Sequence, residues 1–403
     1  MADHYARHII EALRSGVPSR AVGEYFSEAR PKMMKRIQDK LESVRESGRS
    51  DGMIFKGRYG EGKTHLLNTV FNMATTSNMA VSFVSLGKET PIDKLHLLYP
   101  KIIENTYLPG ASQPGFRQKL FELTKGSKIS GELMAYAAKE LMTDKLYFLI
   151  KAYLGTQEEE ERDIFLADLE GNFTTASVIK RSYRRVTGTV AKFNVSFRKT
   201  SHAMDYFCFT SHLFRQLGYD GWVLLFDEAE LIGRLGKKTR AKSYAMLQSF
   251  LNPSPKLENV FSLFAFSSSF EEDVIDKKNE TANVEDCFAD DPEMKAAALS
   301  TVNAILNATE LAPLSKDEVM KILMSIQDFH GKAYDWTPGV SAETLYKATE
   351  ASGYLLRTKL RAAIEFFDQL YQYGEAGETR VTELGKECFD EEEIPELPDL
   401  SDL

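Results

Sequence analysis

The chain has 403 residues, 43% hydrophobic and 27% charged, the balance of a globular protein whose core needs no disulfide or metal staple. A net charge of −9 excludes a molecule that coats DNA or an anionic membrane over its whole surface, so any nucleic-acid contact has to come from a local patch. Cys208, Cys287 and Cys388 form no CxxC pair, the start Met1–Gly16 has no continuous apolar run, and no stretch reaches about 18 apolar residues; free core thiols, no secretory leader, no membrane span and a cytoplasmic location are expected.

The first predicted element is an amphipathic helix over 5–16, with Ile9, Ile10 and Leu13 at helical spacing, followed by a turn at Gly16-Val17-Pro18-Ser19. A second helix covers 31–47, with Met33, Met34, Ile37, Leu41 and Val44 on one face. Met53–Lys56 reads as a short buried strand running into a glycine-rich turn, then a helix from Lys63 to about 75 and a strand over Ala80–Leu86. Strand, glycine turn, helix, strand is a βαβ unit and sets an α/β class with a parallel sheet. Residues 93–220 read as mostly helical, with an acidic run at Glu158–Glu161. Trp222–Phe226 and Asn259–Ser267 are continuous apolar runs, as central parallel strands should be. Residues 271–298 read as loop and exposed helix, and Ile305–Leu311 as a last strand. Helices follow over Lys316–Phe329, 341–351 and 354–372, and Asp390–Leu403 is acidic, carries prolines and is predicted disordered.

The strongest chemical signal is Gly57-Arg58-Tyr59-Gly60-Glu61-Gly62-Lys63-Thr64, a match to G-x-x-x-x-G-K-[ST] between a strand and a helix. Gly57, Gly60 and Gly62 let the backbone wrap a phosphate, and the following helix offers its positive end. Lys63 is suited to bridge the β- and γ-phosphates of ATP and Thr64 to ligate Mg2+, with Glu61 and His65 flanking. Val223-Leu224-Leu225-Phe226-Asp227-Glu228 is the second signal, four apolar residues ending in two acids. Asp227 is placed to hold the Mg2+ shell and Glu228 to polarise the attacking water. Asp227 comes 163 residues after Thr64, whereas one crossover needs about 30, so a large insertion lies between them. Ser267, at the tip of the next strand, is a candidate for contacting the γ-phosphate, with a turn or N-cap role as the alternative. Arg357, and after it Arg361, on the last helix could reach the nucleotide from a C-terminal lid; the alternative is a solvent-facing helix surface.

The form Gly57-x-x-Gly60-x-Gly62-Lys63-Thr64 resembles the AAA+ version of the loop, and Glu310–Glu318 looks like the AAA+ junction between last strand and lid. The order is similar to the Orc-type and STAND-like branch. Four stretches further resemble the ATP-binding proteins of bacterial BREX and related phage-defence islands: His8–Pro18, the loop ending in Thr64-His65, Gly218–Trp222 with Asp227–Glu230, and Arg240 with Tyr244 and Leu247. The resemblance implies an AAA+-type parallel-sheet core over 1–312 with the helical insertion at 93–220, a helical lid over 313–375 and an acidic tail over 376–403. It implies ATP and Mg2+ as ligands, a homo-oligomer or a partner helicase or methyltransferase, and an adenine pocket near Gly16–Tyr25. Arg234 or Arg240 is the implied arginine finger across a subunit interface. The Orc-type winged helix is expected to be absent.

Between Gly171 and Met204 there is no acidic residue, while Lys180, Arg181, Arg184, Arg185, Lys192, Arg198 and Lys199 interleave with Tyr183, Phe193 and Phe197. Cations with aromatics suit phosphate contact plus base stacking, so 171–204 is a candidate DNA contact; pairing with Glu158–Glu161 or a partner protein is the alternative. Together these residues point to an ATPase coupled to a nucleic-acid-associated defence complex. The alternative is a nucleotide-dependent scaffold or switch with little turnover; a small-molecule kinase suits the loop and lid poorly.

Overall fold

The computed structural model describes residues 3–15, 30–353, 355–377, 379 and 381. The chain begins with α1 (His4–Ser15), whose Ala6, Ile9, Ile10 and Leu13 form one buried face. Next, α2 (Pro31–Ser47) starts on a proline, whose missing N–H is not needed in a first turn, and stops where the Gly48 N–H returns to the Val44 carbonyl. Strand β1 (Asp51–Gly57), α3 (Lys63–Thr76) and β2 (Met79–Ser85) make the βαβ unit. The insertion follows: α4 (Leu95–Glu104), β3 (Thr106–Tyr107), α5 (Arg117–Leu120), α6 (Lys128–Lys139), α7 (Lys145–Tyr153), α8 (Glu159–Ala167), α9 (Ala176–Thr187) and α10 (Lys199–Gln216). The base resumes with β4 (Gly221–Asp227), a 3-10 turn (Ala229–Arg234), α11 (Lys237–Leu251), β5 (Val260–Ser267), α12 (Glu280–Cys287), α13 (Pro292–Leu306) and β6 (Thr309–Glu310). The lid is α14 (Lys316–Tyr334), α15 (Ala342–Ala348) and α16 (Leu356–Tyr373).

The strands form one sheet in the order β3-β2-β4-β5-β1-β6, parallel except for β3. Every residue of β4 and β5 is buried, which explains their unbroken apolar runs. Alternate residues serve opposite layers. Val223 and Leu225 join Phe55 and Leu263 under α2 and α3, while Leu224 and Phe226 join Ile54 and Phe264 under the insertion, α11 and α13. Gly221 at the start of β4 has to be small, because a Cβ there would lie 2.8 Å from the Asn259 carbonyl oxygen. A buried polar chain secures the sheet edge: Trp222 Nε1–H donates to Ser82 Oγ at 2.8 Å, and Ser82 Oγ meets Thr106 Oγ1 at 2.7 Å.

Three sequence expectations change. The last strand is only Thr309–Glu310, because Ile305 and Leu306 complete the apolar face of α13 that packs on the sheet. Residues 271–298 are mostly helical and partly in the core, with Val274, Ile275, Val284 and Ala298 buried. Helix α1, assigned with the base at 1–312, packs on the lid instead: Ile9, Ile10 and Leu13 share one apolar cluster with Leu323, Ile326, Leu360 and Phe367. Arg14 Nη2 pairs with Asp368 of α16 at 2.8 Å, and Asp368 also meets His330 Nε2 at 3.0 Å. Cys208 is a buried core thiol, as expected, and burial pushes it up to about 12. The turn at Gly16–Ser19, the adenine-pocket stretch Gly16–Tyr25, Cys388 and the acidic end Asp390–Leu403 lie outside the described residues.

Candidate nucleotide-binding site

Parallel pairing sets Gly57 beside Ser267 and Ser85 beside Asp227, so the chemically marked residues meet at the carboxyl edge of the sheet. The loop after β1 turns on Gly60 (φ 77°) and Gly62 (φ 94°), backbone conformations that a side chain would strain. Its curvature is held from within, since Glu61 Oε2 accepts the Arg58 N–H at 2.8 Å. Helix α3 begins at Lys63 with no side chain capping its first turn, which leaves its amides and its positive dipole end for an anion. Lys63 Nζ donates to the Gly57 carbonyl at 3.1 Å, and His65 is half-buried in the same turn.

Thr64 Oγ1 donates to Asp227 Oδ2 at 2.6 Å. Asp227 is buried, and desolvation raises its carboxyl above the usual range against the opposing effects of the Thr64 hydroxyl, the Glu228 N–H and Lys63. An alcohol and a carboxylate so close form a donor pair that fits a hard divalent cation. Among the described residues no three His, Cys, Asp or Glu side chains converge on a metal site. A cation held here would therefore rely on Thr64, Asp227 and the oxygens of a phosphate ligand.

Glu228 is exposed and has left-handed backbone (φ 53°), a conformation uncommon for glutamate and often concentrated at functional sites. Glu230, two residues on, was not singled out by the sequence patterns. It is buried with Oε1 3.6 Å from Lys63 Nζ. Ser267 is buried beside Gly57, and its Oγ accepts the Ser269 N–H at 3.4 Å.

The lid closes over the loop. Arg357 N–H reaches the Gly60 carbonyl at 3.4 Å, its Nη1 donates to Tyr59 Oη at 3.0 Å, and the guanidinium lies over the Tyr59 ring. Arg357 thus faces the nucleotide loop. Arg30 was also missed, since no motif announces it. It is buried, its Nη2 donates to the Glu61 carbonyl at 2.7 Å, its Nε to the Ala312 carbonyl at 3.2 Å, and its N–H to Glu318 Oε1 at 3.4 Å. Its position, directly before the proline that opens α2, was the only signal.

The two arginine-finger candidates separate. Arg234 is half-buried beside a cleft lined by Leu86, Ile92 and Leu235. Arg240 is buried inside the base, bonded to Glu280 at 2.9 and 3.1 Å and to the Leu235 carbonyl. A guanidinium so enclosed is not presented to a neighbouring subunit, which corrects that expectation.

The model of the family described as "BREX system ATP-binding protein BrxC/D" matches residues 1–122 and 127–382. The chain belongs to this family. No curated protein matches it. A Walker-type ATPase of Pyrococcus abyssi is similar in structure at a TM-score of 0.35 and 12% identity, covering 84% of this chain and 67% of that one. The membership places the P-loop and Asp227 geometry in an ATP-binding protein of a BREX defence system.

This BrxC/D-family chain carries its basic stretch as an exposed face. Lys180, Arg181, Arg184 and Arg185 project from α9, and Lys192, Arg198 and Lys199 from the segment after it. Arg185 pairs with Glu161, which satisfies part of the alternative reading. The aromatics divide: Lys180 Nζ lies over the ring of half-buried Phe193 at 5.0 Å, Phe197 is half-buried, and Tyr183 is buried. Tyr183 is buried against Phe148, and Phe193 and Phe197 pack on Phe148, Phe173 and Tyr206. Of the three aromatics, Tyr183 is withdrawn from the surface, while the cations of the stretch are exposed. Among the described residues no helix is long and apolar enough to cross a membrane.

Proposed function

We propose that this BREX-system chain is a Mg-ATP-hydrolysing AAA+ enzyme that couples turnover to a nucleic-acid-associated defence complex. The observation that carries the reading is the 2.6 Å bond between Thr64 Oγ1 and Asp227 Oδ2, beside Lys63 on the glycine loop. Gly57, Gly60, Glu61, Gly62 and His65 frame a cradle for the phosphates, with Lys63 bridging the β- and γ-groups. Thr64 and Asp227 would hold Mg2+, which supplies charge neutralisation on the phosphate oxygens. Glu228, at the solvent-facing end of β4, is positioned to accept a proton from the attacking water. Ser267 stays near the loop as a polar contact, and Arg357 enters from the lid. Leaving Tyr59 would cost Arg357 a neutral hydrogen bond and a cation–π contact, and a phosphate would offer a charge-assisted bond in exchange.

The exposed cations of α9 support a phosphate-backbone contact with DNA. Arg234 remains the candidate finger in a homo-oligomer, and a helicase or methyltransferase of the same system is the proposed partner. A switch with little turnover is the second reading, favoured by the pairing of Lys63 with Glu230 and of Arg357 with Tyr59.

The test measures ATP hydrolysis with and without double-stranded DNA for wild type, Lys63→Ala, Glu228→Gln and a triple Lys180→Glu/Arg181→Glu/Arg184→Glu variant. Lys63→Ala is expected to lose nucleotide binding, and Glu228→Gln to bind while turning over about 100-fold more slowly. The triple variant should lose DNA stimulation and flatten the salt dependence of DNA binding. Tight binding with no turnover in any condition would favour the switch, and unchanged behaviour of Lys63→Ala would refute the site.

A further inference from the structure

We propose that Glu230 sets the preference of this site between ATP and ADP, by competing with the γ-phosphate for Lys63; the inference rests on the nucleotide-binding reading above. The two side chains are each 8% exposed and lie 3.6 Å apart. Lys63 has three donors, and the Gly57 carbonyl takes one at 3.1 Å. A buried ammonium needs a counter-charge, and Glu230 supplies it from within the chain.

The carboxylate is held in that position by its surroundings. Glu230 sits in the 3-10 turn after β4, a strand buried along its whole length and tied to α3 through Asp227 and Thr64. Ala229 and Ile232 on either side are in the core, so the turn cannot retreat without withdrawing apolar side chains. The two acids after Asp227 therefore have separate surroundings. Glu228 is exposed, and Glu230 faces the lysine.

The consequence is selective. Both nucleotides bring a β-phosphate to Lys63, but ATP adds the more highly charged γ-group to the same space. A carboxylate beside that cation disfavours the ligand that crowds more negative charge around it. Neutralising Glu230 at constant shape removes this bias, so ATP gains more affinity than ADP.

The experiment is calorimetric titration of Mg-ATP and Mg-ADP into Glu228→Gln, where hydrolysis is slowed, and into the same protein carrying Glu230→Gln, Glu230→Asp or Lys63→Ala. Glu230→Gln is expected to tighten ATP about tenfold and ADP less than about threefold. Glu230→Asp draws the charge back by one methylene and shifts the ratio the same way by less. An unchanged ratio, or weaker ATP binding, in Glu230→Gln overturns the proposal. Should Glu230→Gln fail to fold, Glu230→Asp decides alone, and no shift toward ATP overturns it. Loss of binding in Lys63→Ala with an unchanged ratio in the Glu230 variants refutes only the proposal. A parent that binds neither nucleotide, or a Lys63→Ala that binds like its parent, overturns the site assignment and the proposal together.

Discussion

Replacing Arg240 by methionine distinguishes a buried structural pair from an arginine finger. Arg240 and Glu280 are 2% and 1% exposed in their side chains, and their bonds of 2.9 and 3.1 Å tie α11 to α12. Asn283 Nδ2 adds a third bond to Glu280 Oε1 at 2.8 Å. Removing only the cation leaves a carboxylate buried without its counter-charge, which costs about 3–5 kcal/mol. That is a large fraction of the roughly 5–15 kcal/mol that holds a folded domain. Arg240→Met/Glu280→Leu removes both charges and should recover most of the loss, short by about 1 kcal/mol for each polar group left without its partner at Leu235 and Asn283. Urea unfolding followed by tryptophan fluorescence reports the midpoint, with Trp222 in the base and Trp336 in the lid as probes. ATP turnover is measured in parallel on Arg240→Met mixed with Lys63→Ala. The expected result is a lowered midpoint, largely restored in the double variant, and no recovery of activity on mixing. An Arg240→Met protein with the wild-type midpoint, inactive alone but active in the mixture, would refute the reasoning, because the arginine would then act across an interface.

Two further outcomes follow from the geometry. Burial sets the folded-state pKa of Asp227 above its unfolded value, so ionising it opposes folding: this stability cost is absent below the unfolded pKa and grows as pH rises toward the folded one. Mg-ATP binding needs the carboxylate, so affinity should fall as pH is lowered through the raised pKa. The dissociation constant measured between about pH 5 and 8 should show this dependence in wild type and lose it in Asp227→Asn, and a pH-independent wild type would refute it. Ile10→Ala, which empties a fully buried position between α1 and the lid, should cost about 2–5 kcal/mol and raise amide exchange in α14 and α16 while β1 and β4 stay protected; equal loss in the base would refute the placement of α1.

The base was legible because its signals are local. A glycine loop between an apolar strand and a helix leaves little freedom, and Leu224-Leu225-Phe226 followed by two acids marks a buried strand reaching the sheet edge. Strand β3 was not legible, since Thr106 and Tyr107 have no periodicity to read; Thr106 is fixed by a hydroxyl contact to Ser82, a partner 24 positions away. Helix α1 was read with the right face and placed in the wrong body, because an amphipathic stripe states that something covers it and not what. The same holds for Tyr183, whose place among cations suggested stacking until the fold buried it against Phe148. Arg30 and Glu230 act through buried distances of 2.7 and 3.6 Å to the P-loop, and no spacing rule encodes such contacts.

The placement of α1 changes which elements are packed with the C-terminal helices. Among the described residues, α1 and α14 lie in one apolar cluster and α2 in another with β1, and β6 pairs with β1. The two clusters are joined at Arg30: this residue, which leads into α2, donates to the Ala312 carbonyl between β6 and α14, to the Glu61 carbonyl of the loop, and through its N–H to Glu318 in the first turn of α14. Glu318 is itself locked by its capping box with Ser315, and those bonds hold its carboxyl below the usual range. One planar guanidinium thus ties the loop backbone at Glu61 to the segment between β6 and α14. Because Arg14 binds α1 to Asp368 of α16, the body packed there includes the N-terminal helix as well as α14, α15 and α16. The glycine loop is thus bonded to that whole body through Arg30 and Arg357, and not to the three C-terminal helices alone.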